Sequence, residues 1–164
     1  MIAAGHDSTS QALGICAHYL ATHPELQAQL RSEPTLIPKA IEEILRLESP
    51  VVAMPRIVSE NVVLHDAELK AGDRVMLNWA SANRDPQIYD DPDQFRLDRG
   101  PTKHMVFGDG VHTCLGAPMA RQEIRISLEM MLSSTTDFSL SGPIEYMDMV
   151  HYGFESLPLC LINN

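Results

Sequence analysis

Phe107-Gly108-Asp109-Gly110-Val111-His112-Thr113-Cys114-Leu115-Gly116 is the stretch whose reading decides the fold. It runs directly into Ala117 to Leu132, where Met119, Ile124, Leu128 and Met131 stand among the apolar positions and predict a helix. Cys114 therefore sits at the mouth of a helix, where unpaired backbone N–H groups and the positive end of the dipole favour an anion. Those conditions favour thiolate over thiol. Gly108 and Gly110 permit a backbone bend open to few other residues. Gly116 removes a side chain beside the sulfur, so a flat ligand can lie close. His112, two residues away, can donate a hydrogen bond to an acidic group. Read alone, Gly-x-Cys-x-Gly is equally a glycine-rich turn with a buried cysteine.

Outward from this loop the bulk properties narrow the field. The chain has 164 residues, enough for one domain with a core. Its 12 Lys and Arg against 22 Asp and Glu give a formal charge of −10. An acidic chain without a basic run is poorly suited to phosphates, so no nucleic-acid partner is expected. Cys16, Cys114 and Cys160 are odd in number, widely spaced and free of any Cys-x-x-Cys pattern, which disfavours a disulfide framework or zinc knuckle. Taken singly, each reads as a buried thiol in a reducing compartment.

Helical periodicity marks Met1 to His23, with Leu13, Ile15, Cys16, Tyr19 and Leu20 recurring on one side. This helix opens without a cap, so the chain is expected to begin inside an element of a longer protein. Thr22 and Glu25 have capping-box spacing around Pro24, predicting a second helix that ends near Ser32. A third spans about Pro38 to Leu47, with Ala40, Ile41, Ile44 and Leu45 on one face, and Ser49-Pro50 stops it. Ile57-Val58, Val62 to Leu64 and Val75 to Leu77 read as strands, with a turn at Ala71-Gly72-Asp73. Trp79 to Asn83 reads as a short helix. Residues 84–106 have no periodicity, and a segment of that kind in a compact domain is functional or covers something. Phe138 to Leu140 and Leu157 to Ile162 suggest a terminal hairpin.

The full loop pattern, Phe-Gly-x-Gly-x-His-x-Cys-x-Gly, resembles the haem-binding loop of the cytochrome P450 family, matching every fixed position from Phe107 to Gly116. The resemblance implies a mainly α fold with small β-sheets, of which residues 1–164 would be the C-terminal, haem-ligating half, the N-terminal part being absent. It implies haem with Cys114 thiolate as the iron ligand, electron-donating enough to favour O–O cleavage. Glu43-Ile44-Leu45-Arg46 is similar to the family's Glu-x-x-Arg pair, and Arg99 to the second arginine of that structural network. Arg96 stands where the family often has an acid.

By the same resemblance, Arg56 and His112 would bind haem propionates, with Phe107, Gly108, Gly110 and Gly116 forming the cradle. Ala4-Gly5-His6-Asp7-Ser8-Thr9 is similar to the oxygen-activation segment, a place of local helix distortion. Asp7 and Ser8 would relay protons there, Ser8 replacing the usual Thr. Val51, Val52, Ala53 and Met54 would line the substrate pocket, and their character suits an apolar organic substrate. The implied activity is insertion of one oxygen atom of O2, with electrons from a ferredoxin-type donor. Arg121 and Arg125 are either docking residues for an acidic donor or ordinary solvated helix positions. His112, where membrane-bound relatives commonly carry Arg, suggests the soluble bacterial type, cytoplasmic and monomeric when complete. Two other readings stand beside this one: an inactive haem-binding fragment, and a peroxide-using peroxygenase, against which Asp7 and Ser8 argue.

Overall fold

The computed structural model describes residues 2–100, 103–147 and 152–164. Helix α1 runs Ile2–Thr22, α2 Pro24–Ser32, α3 Ile37–Leu47, the short α4 Trp79–Ala82 and α5 Ala117–Ser134. Met1, expected to open the first helix, lies outside the described residues. A 3-10 turn at Pro34–Leu36 leads into α3, which begins one residue earlier than its periodicity suggests. Across Gly5 to Thr9, α1 is unbroken α-helix, and the expected distortion is absent there. Just beyond, the Ser10 hydroxyl donates to the Asp7 carbonyl at 2.9 Å, a side-chain bond that the helix accommodates without breaking.

The α1–α2 junction also departs from expectation. Thr22 is no cap, because it still belongs to α1 and its hydroxyl donates back to the carbonyls of His18 and Tyr19, both at 3.0 Å. His23 takes the cap position with no side-chain capping bond, and Pro24 supplies the preset first turn.

The strands form four antiparallel pairs. β1 (Ala53–Ile57) pairs β4 (Arg74–Asn78), with Arg56 opposite Val75. β2 (Val62–Leu64) pairs β3 (Ala67–Leu69), a strand that the sequence does not advertise because Glu68 interrupts its three residues. Gly72, at φ +92°, makes the turn before β4. The expected terminal hairpin exists as β5 (Thr135–Leu140) against β8 (Leu159–Asn163), with a smaller pair, β6 (Glu145–Tyr146) and β7 (Phe154–Ser156), inserted between.

Helices α1, α3 and α5 share one core, closed below by α2 and β5. Ile15, Cys16, Leu20, Leu30, Ile41, Ile44, Leu45, Ile124, Leu128 and Phe138 are among its buried members. Met119 is not among them: it is 68% exposed on the outer side of α5. Of the cysteines only Cys16 is a buried thiol, while Cys114 and Cys160 are exposed, so the expectation of burial fails for two of three. Among the described residues no helix is long and apolar enough to cross a membrane.

Candidate functional site

Helix α3 positions the interior half of the site. Arg46 is 1% exposed, and its Nε and Nη2 donate to the two Glu43 carboxylate oxygens, both at 2.9 Å. Arg99 joins from the irregular segment, its Nε donating to Glu43 Oε1 at 3.0 Å. The remaining donors of the two guanidiniums meet backbone carbonyls: Asn83, Pro92 and Gln94 for Arg46, and Asp90, Asp91 and Gln94 for Arg99. This explains how residues 84–106 persist without periodic structure, since two planar five-donor groups satisfy carbonyls that no strand or helix satisfies. The ring of Tyr89 lies 4.9 Å from the Arg46 guanidinium carbon and 5.9 Å from that of Arg99. Burial pushes the Glu43 carboxyl up, but Arg46 and Arg99 outweigh it and hold it below its ordinary range.

Arg96 resolves the departure from the family pattern. Its side chain turns outward to Asp98 and Asp91, and its backbone N–H donates to Glu43 Oε1 at 3.1 Å. The position serves the network through its main chain, which any residue but proline could supply.

Asn83, fully buried, links this network to the cysteine loop. Its carbonyl accepts from Arg46, its Nδ2 donates to Ser49 Oγ at 2.8 Å, and its Oδ1 accepts the Met105 N–H at 2.6 Å. Within the loop the Cys114 N–H donates to the Phe107 carbonyl at 2.7 Å, and the Asp109 carboxylate accepts from Gly110 N–H and Lys103. Gly108 has φ +68° and ψ −172°, a region essentially reserved for glycine. A Cβ there would also stand 2.9 Å from the His112 carbonyl oxygen. Gly108→Ala is expected to destabilise the chain by about 1–3 kcal/mol, read as a lowered urea midpoint at unchanged slope. A midpoint within error of the parent chain would remove this conformational requirement.

Cys114 itself is exposed, as are its neighbours Val111 (97%) and Leu115 (89%). A Cβ on Gly116 would lie 3.9 Å from the Cys114 sulfur, so the glycine keeps that flank clear. Among the described residues no cluster of three or more His, Cys, Asp or Glu could hold a metal ion. A lone soft sulfur in a loop that exposes the apolar Val111 and Leu115 fits a metal that arrives inside its own flat apolar ligand. The residues present thus fit haem.

Except for His112, the other sequence-predicted residues lie apart from this loop in the chain. Arg56 is half-buried on β1, its guanidinium donating to the Pro55 carbonyl at 2.9 Å. Val51, Val52 and Ala53 are half-buried and Met54 is 42% exposed, a small apolar strip at the start of β1. Asp7 and Ser8 are half-buried on α1, and His112 is exposed in the loop.

Sequence reasoning missed a second cluster. The Arg121 Nε and Nη2 donate to the two Glu42 oxygens, both at 2.8 Å. Val106 N–H donates to His104 Nδ1 at 3.3 Å, which places the ring proton on Nε2, facing Glu42 Oε2 at 3.0 Å. Arg121 is therefore engaged within the chain, and Arg125 bonds Gln122 and pairs with Glu129. Burial pushes the Glu42 carboxyl up, yet the bonds from His104 and Arg121 hold it at about 2 instead of 4.5. As pH falls the unfolded chain takes up this proton first, so the contribution to stability is whole above pH 4.5 and lost towards about 2. With Glu42 still 38% exposed, Glu42→Gln should cost about 1 kcal/mol at neutral pH after allowing for solvent screening. Urea midpoints of the two chains should converge as pH is lowered through that window, and a constant gap would contradict the assignment.

The family model "Cytochrome P450" matches residues 1–141. The chain belongs to the cytochrome P450 family. It is 39% identical over 140 residues to cytochrome P450-terp of Pseudomonas sp, covering 85% of this chain and 33% of that one. To cytochrome P450-SU2 of Streptomyces griseolus it is 37% identical over 164 residues, covering 97% and 41%. The solved structure of CYP109E1 from Bacillus megaterium in complex with corticosterone superposes with a TM-score of 0.91 at 36% identity, covering 98% of this chain and 44% of that one. The chain thus spans between a third and a half of the P450 relatives it matches. Membership confirms the expected mainly helical fold with small sheets. It also implies haem with a cysteine thiolate.

Proposed function

We propose that this chain supplies the haem-ligating half of a monooxygenase that inserts one oxygen atom of O2 into an apolar organic substrate. The observation that carries the reading is the exposed Cys114 sulfur, set in a loop whose backbone is pinned to Phe107 and flanked by exposed Val111 and Leu115. Relatives named as a mycinamicin IV hydroxylase/epoxidase, a cyclomarin C epoxidase and a steroid C26-monooxygenase support the reaction class.

Haem bound at Cys114 would supply an iron centre for oxygen activation, made electron-rich by the thiolate. Everything else falls to the chain. Phe107, Gly108, Gly110 and Gly116 shape the cradle, and Gly116 leaves the sulfur open to a flat face. Arg56 and His112 hold the propionates, a guanidinium and an imidazole suited to carboxylates. Val51, Val52, Ala53 and Met54 orient the substrate and exclude water. Asp7 and the Ser8 hydroxyl hold and pass protons along α1. The Ser8 hydroxyl lacks the methyl of threonine, so its rotor is less restrained and proton delivery less strictly controlled. Electrons come from a ferredoxin-type protein docking on the Cys114 side, and the complete enzyme acts as a cytoplasmic monomer.

The test is turnover of an apolar substrate by the haem-loaded chain, with a reductant and O2 in one arm and peroxide alone in the other. Product only with reductant and O2 supports the monooxygenase. Product with peroxide alone replaces it by a peroxygenase. Haem binding without product in either arm leaves a haem-binding chain that cannot turn over by itself.

A further inference from the structure

The Glu42 cluster lies outside the residues used above, yet its geometry leads to the cysteine. The Arg121 guanidinium is gripped by both Glu42 oxygens at 2.8 Å, and its central carbon lies 4.2 Å from the centroid of the Phe107 ring. A bidentate partner fixes a planar guanidinium in orientation as well as in place. A cation so placed attracts the ring face beneath it. Phe107 is the residue whose carbonyl receives the Cys114 N–H at 2.7 Å. The upstream limb is held by His104, also on Glu42, and by the Met105 N–H on Asn83.

We propose that Glu42 is a positioning residue for the cysteine loop: by holding Arg121 over the Phe107 ring, it fixes the Phe107 carbonyl and through it the backbone of Cys114. The inference rests on the proposed function only for what the loop holds. Electrostatics agree with the geometry. The Glu42 hydrogen bond raises Arg121 above its ordinary range, and Cys114 adds a smaller contribution of the same sign, so the cation lies within electrostatic reach of the sulfur.

The experiment is residue-resolved hydrogen–deuterium exchange on the full chain. In Glu42→Gln, amides from Gly108 to Cys114 should accelerate about 5- to 10-fold more than interior amides of α1 and α3, whose rates report the global loss of stability. Arg121→Lys should reproduce this local effect, because an ammonium keeps the charge but loses the fork and the stack. In a Phe107→Leu background, Glu42→Gln should lose most of its effect on exchange from Gly108 to Cys114, since the path to those amides runs through the ring while His104 bears on the limb upstream. Haem-loaded Glu42→Gln should also show a smaller thiolate share in its reduced carbon-monoxide spectrum than the parent. Uniform acceleration, an unchanged loop, or additivity with Phe107→Leu overturns the proposal. Exchange needs no haem: a parent chain that shows no thiolate band, but whose loop still responds to Glu42→Gln, retires the proposed function and leaves the positioning role standing.

Discussion

Cys114→Ala is expected to abolish the red-shifted Soret band of the reduced, carbon-monoxide-bound chain while leaving its fold in place. The sulfur is exposed and lies outside the core formed by α1, α3 and α5, so truncating it creates no cavity. The cost in stability should stay within about 0.5 kcal/mol, as for surface substitutions generally. The loop keeps its shape, because the bond from residue 114 to the Phe107 carbonyl is made by the backbone. What disappears is the soft anionic donor that a thiolate-ligated iron requires. Cys160→Ala is the matched control, since Cys160 is also an exposed thiol but stands on β8 opposite Ser139. Loss of the band in the first variant and its survival in the second assign the ligand. Persistence of the band after Cys114→Ala would sink the assignment, and far-ultraviolet circular dichroism recorded on the same samples excludes unfolding as the cause.

The second large effect concerns stability. Glu43→Gln removes the carboxylate that grips Arg46 while Arg46 stays 1% exposed, leaving a buried cation without that anion. Breaking such a pair costs about 3–5 kcal/mol, several times the cost of an exposed helix pair. Arg99 loses the same partner, and the Arg96 N–H loses its stronger acceptor. For a chain of this size the melting temperature should fall by roughly 10 °C. Arg46→Met should cost at least as much, because the carbonyls of Asn83, Pro92 and Gln94 lose a donor together. Thermal unfolding beside Glu42→Gln gives the comparison. A loss under about 1 kcal/mol for Glu43→Gln would mean that water reaches the pair and that it behaves as a surface contact.

The contrast between these adjacent acids shows what the sequence could carry. Glu43 and Arg46 stand at helical spacing, so their pairing was legible as local geometry. Their burial was not, because the cover comes from residues 84–99, which have no periodicity to read. Glu42 points about 100° around the helix from Glu43 and meets Arg121 on α5, 79 residues away. Nothing in its neighbourhood in the chain marks that partner. The Thr22–Glu25 spacing failed as a cap for a related reason. A side chain at the end of one helix can bond backward as readily as forward, and Thr22 bonds backward.

By itself the sequence determined the order and kind of the helices and of most longer strands, but not of β3, β6 or β7. Periods of helix and strand are written into neighbouring residues, and the helical faces of α1 and α3 and the closing hairpin are read from them. It also placed the loop from Phe107 to Gly116, whose fixed spacing demands glycine where the backbone turns to φ +68° and +59°. Only the tertiary structure decided which charges are interior, which cysteines are open, and that Arg121 is gripped by Glu42. Periodicity reports which face of an element is apolar but not which element will meet it. Partners tens of residues apart are chosen when the helices pack, and the free energy of a charge depends on the burial that packing creates.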